Sequence, residues 1–243
     1  LETRLINEQS LMIYFDNEIT KDTYNKVNKL VQYIKEQNHK EIIDIVPSYR
    51  AILISFDNTS IDGTKLIENL ELNQFNDSES NQLQQRKVVT IPVVYGEEFG
   101  PDLEEVASSN QLTTEEVIQI HTQQPYLIYM LGFMPGFPYL GGLDERIHTP
   151  RRSEPRVKIE AGSVGIANNQ TGLYPLDSPG GWQIIGRTPL KVFDLDREPM
   201  TIYEAGEYIQ FKAITQDEFE QIQADINAGN FELDKWVTYD NEY

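Results

Sequence analysis

Cysteine is absent from the 243 residues. Disulfide frameworks, thiolate nucleophiles and Cys-ligated zinc or iron–sulfur sites are excluded with it. Positive charge is scarce: 20 Lys and Arg stand against 39 Asp and Glu, a net charge of −19. Nucleic acid and anionic membranes select basic faces, so neither is expected as a general partner. The three histidines, His39, His121 and His148, are too scattered to assign a metal site. No apolar run approaches the length of a membrane span and no charged-then-apolar leader is seen, so a cytoplasmic protein is expected. The phosphate-loop pattern G-x-x-x-x-G-K-[ST], a G-x-G-x-x-G after a strand, H-E-x-x-H and G-x-S-x-G are all missing. Local pattern alone therefore offers no complete catalytic device.

What is present suffices for a folded core: 39% apolar and 10% aromatic residues. At roughly 150 residues per domain, the length predicts one or two domains. Leu11–Phe15 reads as a strand, and Tyr24, Val27, Val31 and Ile34 mark one face of a helix that Thr20 caps. Ile42–Val46 and Ala51–Phe56 read as a hairpin about Pro47–Arg50, followed by a short helix over 63–72. The stretch Asn73–Arg86 is polar, with only Phe75 and Leu83 apolar, and is read as a linker. The expected organisation is a small α+β domain over 1–86, with linker 73–86, and a β-barrel domain with a C-terminal helix over 87–243.

In the second segment, Val88–Tyr95 reads as a strand whose Pro92 implies an edge or a bulge. Asp102–Ala107 and Thr113–His121 look helical, and Thr113 with Glu116 forms a capping box. Short β runs follow at 126–131, 162–167, 171–174, 182–188, 190–194, 200–203 and 208–214, which predicts a closed, mostly antiparallel barrel. Thr215 with Glu218 begins a last helix, which Gly229 ends.

The window Tyr126–Phe193 is the compositional outlier. It holds 7 basic and 5 acidic residues, net +2, with 10 of the 15 glycines and 7 of the 12 prolines. Gly132–Gly142 interleaves glycine and proline with Phe133, Phe137 and Tyr139: a wall for a ligand or partner, or a barrel corner packed by its own aromatics. Arg151, Arg152, Arg156 and Lys158 form a basic patch, suited to an anion or else paired with nearby carboxylates. Gly180-Gly181, Trp182 and Arg187 form either a ligand-facing nest or a structural hairpin. His121 ends a helix, where the dipole favours its charged form, and is read as a cap or as an acid/base group.

Several ordered segments carry a resemblance: Leu131-Gly-Phe-Met-Pro-Gly-Phe-Pro-Tyr-Leu-Gly-Gly-Leu143, Thr149-Pro-Arg-Arg152, Ala161–Ala167, Gln170-Thr-Gly-Leu-Tyr-Pro175, Ser178-Pro-Gly-Gly-Trp182, Gly186-Arg-Thr-Pro189 and Val46-Pro-Ser-Tyr-Arg50. Together they resemble the KipI/PxpB family, which comprises the B subunits of 5-oxoprolinase and is also called allophanate hydrolase subunit 1-like. The resemblance covers essentially the whole chain. It implies a small α+β domain and a cyclophilin-like barrel. It implies action with subunits A and C in opening 5-oxoproline to L-glutamate with ATP, bound by the assembled complex. Inhibition of a sensor histidine kinase and urea or allophanate processing stay open beside it. Under the enzymatic reading, Arg151, Arg152, Arg156 and Arg187 bind anionic groups, and Gln170 and Tyr174 hydrogen-bond the amide. Phe133, Phe137, Tyr139 and Trp182 then form the wall, His121 at the pocket edge transfers protons, and no residues hold a metal.

Overall fold

The computed structural model describes residues 1–76 and 85–241. Contacts divide the chain into two compact units, Leu1–Gln82 and Leu83–Tyr243. Its content is mixed α and β, with five α-helices among the described residues.

In the first unit, β1 (Glu2–Asn7), β2 (Ser10–Tyr14), β3 (Ile42–Pro47) and β4 (Ala51–Phe56) form an antiparallel sheet in the order β1-β2-β4-β3. Alternation sends Leu11 and Ile13 of β2, and Ile52, Ile54 and Phe56 of β4, to one face. There they meet Val27, Leu30, Val31 and Ile34 of α1 (Lys21–Glu36) and Leu66 of α2 (Gly63–Asn69). The Thr20 hydroxyl accepts from the Thr23 amide and caps α1, as its sequence predicts. Strand β1 is not among the predicted elements. It is an edge strand with mostly exposed side chains, so it lacks the apolar alternation that marks a half-buried strand. Of the expected linker, 77–84 lies outside the described residues. Phe75 packs on the first core, 5.6 Å from the Tyr33 ring, and Arg86 already belongs to the next strand.

The second unit is built on a nearly closed barrel-like sheet. Its strands are β5 (Gln85–Tyr95), β6 (Tyr126–Leu131), β7 (Pro138–Gly141), β9 (Ser163–Ala167), β10 (Gln170–Leu173), β12 (Gln183–Arg187) and β13 (Tyr208–Ala213). Their order is β10-β9-β12-β5-β13-β6-β7, and β14 (Val237–Asn241) joins β5. The end strands β10 and β7 lie together, which brings the sheet round on itself. A side ribbon pairs β8 (Arg156–Ile159) with β11 (Ser178–Gly180). Helices α3 (Leu103–Ser109) and α4 (Thr114–Thr122) supply Leu103, Val106, Val117 and Ile120 to a core shared with Val89, Ile91, Val164, Ile166 and Phe211. Helix α5 (Gln216–Asn227) sets Phe219 against Val94 and Phe99. Both predicted capping boxes form, at Thr113/Glu116 and Thr215/Glu218.

Pro92 corrects the expectation of an edge strand. On one side β5 pairs in parallel with β13 from Val88 to Val93, an exception to the mostly antiparallel pattern. On the other side β14 pairs up to Val89 and β12 begins at Val94. Pro92 falls in the gap between those two partners, where its missing N–H costs no ladder bond. Residues 190–194 and 200–203 are not strands. They meet through a single bridge, Phe193 to Thr201.

Candidate functional site

The glycine-rich segment leaves β6 at Leu131 and re-enters the sheet at Pro138. The Gly132 amide donates to the Phe137 carbonyl at 3.1 Å, which closes the loop. Gly136 has φ +79°, and a Cβ there would lie 2.9 Å from the Cβ of Phe193. The buried Tyr203 hydroxyl donates to the Gly136 carbonyl at 2.8 Å and anchors the turn. Phe133 also takes a left-handed φ, +67°, which is costly for a bulky side chain, and it stays 69% exposed.

Phe137 is the centre of an aromatic cluster. Edge-on contacts join it to Phe133 (5.6 Å), Tyr139 (5.3 Å), Tyr174 (5.4 Å) and Trp182 (5.6 Å). These rings come from the loop, β7, the end of β10 and the start of β12, so barrel closure assembles them. A Cβ on Gly180 would collide with the Tyr174 hydroxyl, which explains the glycine. Burial pushes the Tyr174 hydroxyl up to about 12, with the nearby Arg151 charge opposing the shift. The Arg151 guanidinium lies 6.0 Å from the Trp182 ring centroid.

The basic residues divide sharply. Arg152 donates to Asp102 Oδ1 at 2.8 Å. Arg156 grips both oxygens of Asp102, at 2.8 and 2.7 Å. The Ile184 amide adds a fourth bond to Asp102 at 2.6 Å, and Asp102 is 3% exposed. Arg187 pairs with Glu160 and covers the Phe99 ring at 4.8 Å. Arg146 pairs with Asp144 and Lys158 with Asp177. Asp144 is held well below the usual carboxylate range by its bonds from Arg146. Among the basic residues from 146 to 158, Arg151 alone has no carboxylate partner among the described residues, and it is exposed. The expectation of four anion-binding arginines thus narrows to one guanidinium with its charge available.

His121 is not at a pocket edge. It is 0% exposed, stacked on Phe211 at 4.6 Å. Tyr95 Oη lies 2.8 Å from Nδ1, and Thr171 Oγ1 lies 2.7 Å from Nε2. Burial depresses its pKa to about 3. The dipole of a short helix is outweighed by desolvation of the whole ring. Gln170 opens β10, half-buried and paired in register with Ala167. A hollow of about 360 Å³ lies along the segment just before Arg151, lined by His148, Thr149, Pro150, Asn168 and Asn169. No group of three His, Asp or Glu is placed to hold a metal among the described residues. Asp102 does not stand out in the sequence, where it resembles any helix-opening aspartate; its partners stand 50 and 54 residues away.

The chain has relatives among known proteins. The model of the family described as carboxyltransferase domain, subdomain C and D, matches residues 1–203. The chain is 41% identical to the 5-oxoprolinase B subunit of Bacillus subtilis over 235 residues, which covers 91% of this chain and 96% of that protein. It is 42% identical to the 5-oxoprolinase B subunit of Haemophilus influenzae over 175 residues, 72% of this chain and 81% of that protein. The crystal structure of Kluyveromyces lactis urea carboxylase superposes with a TM-score of 0.76 at 19% identity, over 99% of this chain and 24% of that one. At that identity the likeness is one of fold.

Proposed function

Because the chain belongs to the family described as carboxyltransferase domain, subdomain C and D, and matches a 5-oxoprolinase B subunit almost end to end, we propose that it is the B subunit of a 5-oxoprolinase. It would act with subunits A and C to open 5-oxo-L-proline to L-glutamate. The coverage of 96% of the Bacillus subtilis protein is the observation that carries this reading. The site geometry supports it. A lactam acid needs a cation for its carboxylate, an apolar wall for its ring and a donor for its amide oxygen. Exposed Arg151 would supply the first, and exposed Phe133 with half-buried Tyr139 the second; Phe137, Tyr174 and Trp182 are buried and brace this face, and the donor for the amide oxygen is left to a partner subunit.

ATP is assigned to the assembled complex. Arg152, Arg156 and Arg187 are occupied by Asp102 and Glu160, so this face keeps one available guanidinium, too few to cradle a triphosphate. His121 is assigned a structural role. The two units are proposed to be separate domains, the second of them cyclophilin-like, in a cytoplasmic complex. A fragment beginning at residue 87 that melts cooperatively on its own supports that division, and one that stays unfolded opposes it.

The experiment is reconstitution. The purified chain mixed with A and C subunits is expected to release glutamate from 5-oxoproline with ATP hydrolysis. Turnover that appears when a known B subunit replaces this chain, and not with this chain itself, would refute the assignment. Turnover on urea with biotin carboxylase components, or co-purification with a histidine kinase in place of a C subunit, would also refute it.

A further inference from the structure

The first unit carries a hollow of about 660 Å³ lined by Glu2, Arg4, Tyr14, Phe15, Asp16 and Arg50, among others. Its chemistry is separate from the aromatic face of the barrel. Two guanidiniums, of Arg4 and Arg50, each stand 5.9 Å from the Tyr14 ring centroid. Arg4 is neutralised by Glu2 at 3.0 Å. Arg50 is half-buried, and its guanidinium makes one long contact of 3.4 Å to the Phe15 carbonyl. It has no carboxylate partner among the described residues, and most of its five N–H groups are unused. Arg50 ends the Val46-Pro-Ser-Tyr-Arg50 segment, which the proposed reaction does not use.

Asp16 stands on the rim of the same hollow, exposed, with no side-chain partner among the described residues. Arg50 and Asp16 line one hollow without forming an ion pair, so it holds a cation and an anion that are not compensated by a carboxylate or a guanidinium among the described residues. A ligand carrying both charges at short separation satisfies both. Tyr14 and Phe15 add aromatic surface to the same hollow.

We propose that this hollow binds a free α-amino acid, its carboxylate on Arg50 and its ammonium on Asp16. The proposal does not depend on the reaction assigned to the barrel, although L-glutamate, the product of that reaction, belongs to the class. A lactam lacks the ammonium and inorganic phosphate lacks any cation, so both bind this hollow more weakly.

Isothermal titration calorimetry of the full chain with L-glutamate, 5-oxo-L-proline and inorganic phosphate tests it. L-glutamate is expected to bind, and Arg50→Ala and Asp16→Asn each to weaken binding by about 10- to 150-fold, the loss of one charge-assisted contact. Arg50→Lys keeps the charge without the planar fork and is expected to fall between. L-alanine, which carries both backbone charges but is not a product of the barrel reaction, is expected to bind with the same dependence on Arg50 and Asp16, which separates this hollow from the barrel face. Unchanged melting temperatures establish that the variants are folded. Absence of L-glutamate binding, binding indifferent to both Arg50 and Asp16, or phosphate binding as tight as L-glutamate would each overturn the proposal.

Discussion

Tyr95 and His121 are locked together by a 2.8 Å hydrogen bond between the phenol oxygen and Nδ1. The direction follows from the far side of the ring. The Thr171 hydroxyl spends its proton on the Gly165 carbonyl at 3.1 Å, so it accepts from His121 Nε2. Nε2 therefore carries the ring proton, and Nδ1 accepts from Tyr95. Burial raises the Tyr95 hydroxyl well above its ordinary value, which keeps it a donor.

His121 is expected to stay neutral as the Nε2–H tautomer from about pH 8 down through about pH 5, readable from its imidazole nitrogen shifts. The unfolded chain takes up a proton near pH 6.5, whereas the folded chain takes it up only near about 3. The unfolded state thus binds more protons between those values, and stability falls as pH drops through that window, at about 1.4 kcal/mol per unit. Above pH 6.5 this contribution is fully present. Urea titrations from about pH 7.5 to about 4.5 measure the slope. A His121 resonance that titrates near pH 6.5 contradicts the burial.

Asp102 binds two guanidiniums and a backbone amide from a buried position. Asp102→Ala leaves Arg152 and Arg156 facing each other without their counter-charge. A loss of about 3 kcal/mol is expected, at the lower end for breaking a buried pair because both arginines are partly exposed. Asp102→Asn keeps one acceptor oxygen and is expected to lose less. Equal chemical denaturation midpoints for Asp102→Ala and the parent chain would contradict this account.

Gly100 lies where the segment 96–102 crosses β12. A Cβ there would overlap the Ile185 carbonyl oxygen and lie 2.6 Å from the Gly96 amide nitrogen. Both neighbours are backbone and neither can swing aside. Gly100→Ala is expected to destabilise the chain by about 2–3 kcal/mol, seen as a lowered melting temperature. Gly142 faces open space but has φ +90°, so Gly142→Ala tests backbone strain alone.

What was legible in the sequence was local. The Thr113/Glu116 and Thr215/Glu218 caps, the α1 stripe and the aromatic loop between two strands all follow from spacing. Strands β7, β8, β11 and β14 are short or polar, and long-range pairing makes them strands, so no run of residues announces them. The same limit applied to the site. The cluster of arginines was visible, but Asp102 and Glu160, which take up the charge of three of them, are known only once the barrel closes. For His121 the sequence shows the helix end but not the aromatic rings of Tyr126 and Phe211 that cover it.

The steady-state kinetics of Arg151→Ala in the reconstituted three-subunit complex test the central claim most directly. Arg151 has no carboxylate partner to lose among the described residues, so the variant is expected to keep its melting temperature and its binding to the other subunits. Losing one charge-assisted contact to the substrate carboxylate is expected to lower kcat/KM for 5-oxoproline by about 10- to 150-fold. Arg187→Ala, whose charge belongs to Glu160, is expected to keep most of its activity. Full kcat/KM in Arg151→Ala, or a loss matched by a failure to assemble, would contradict the assignment of this face as the substrate site.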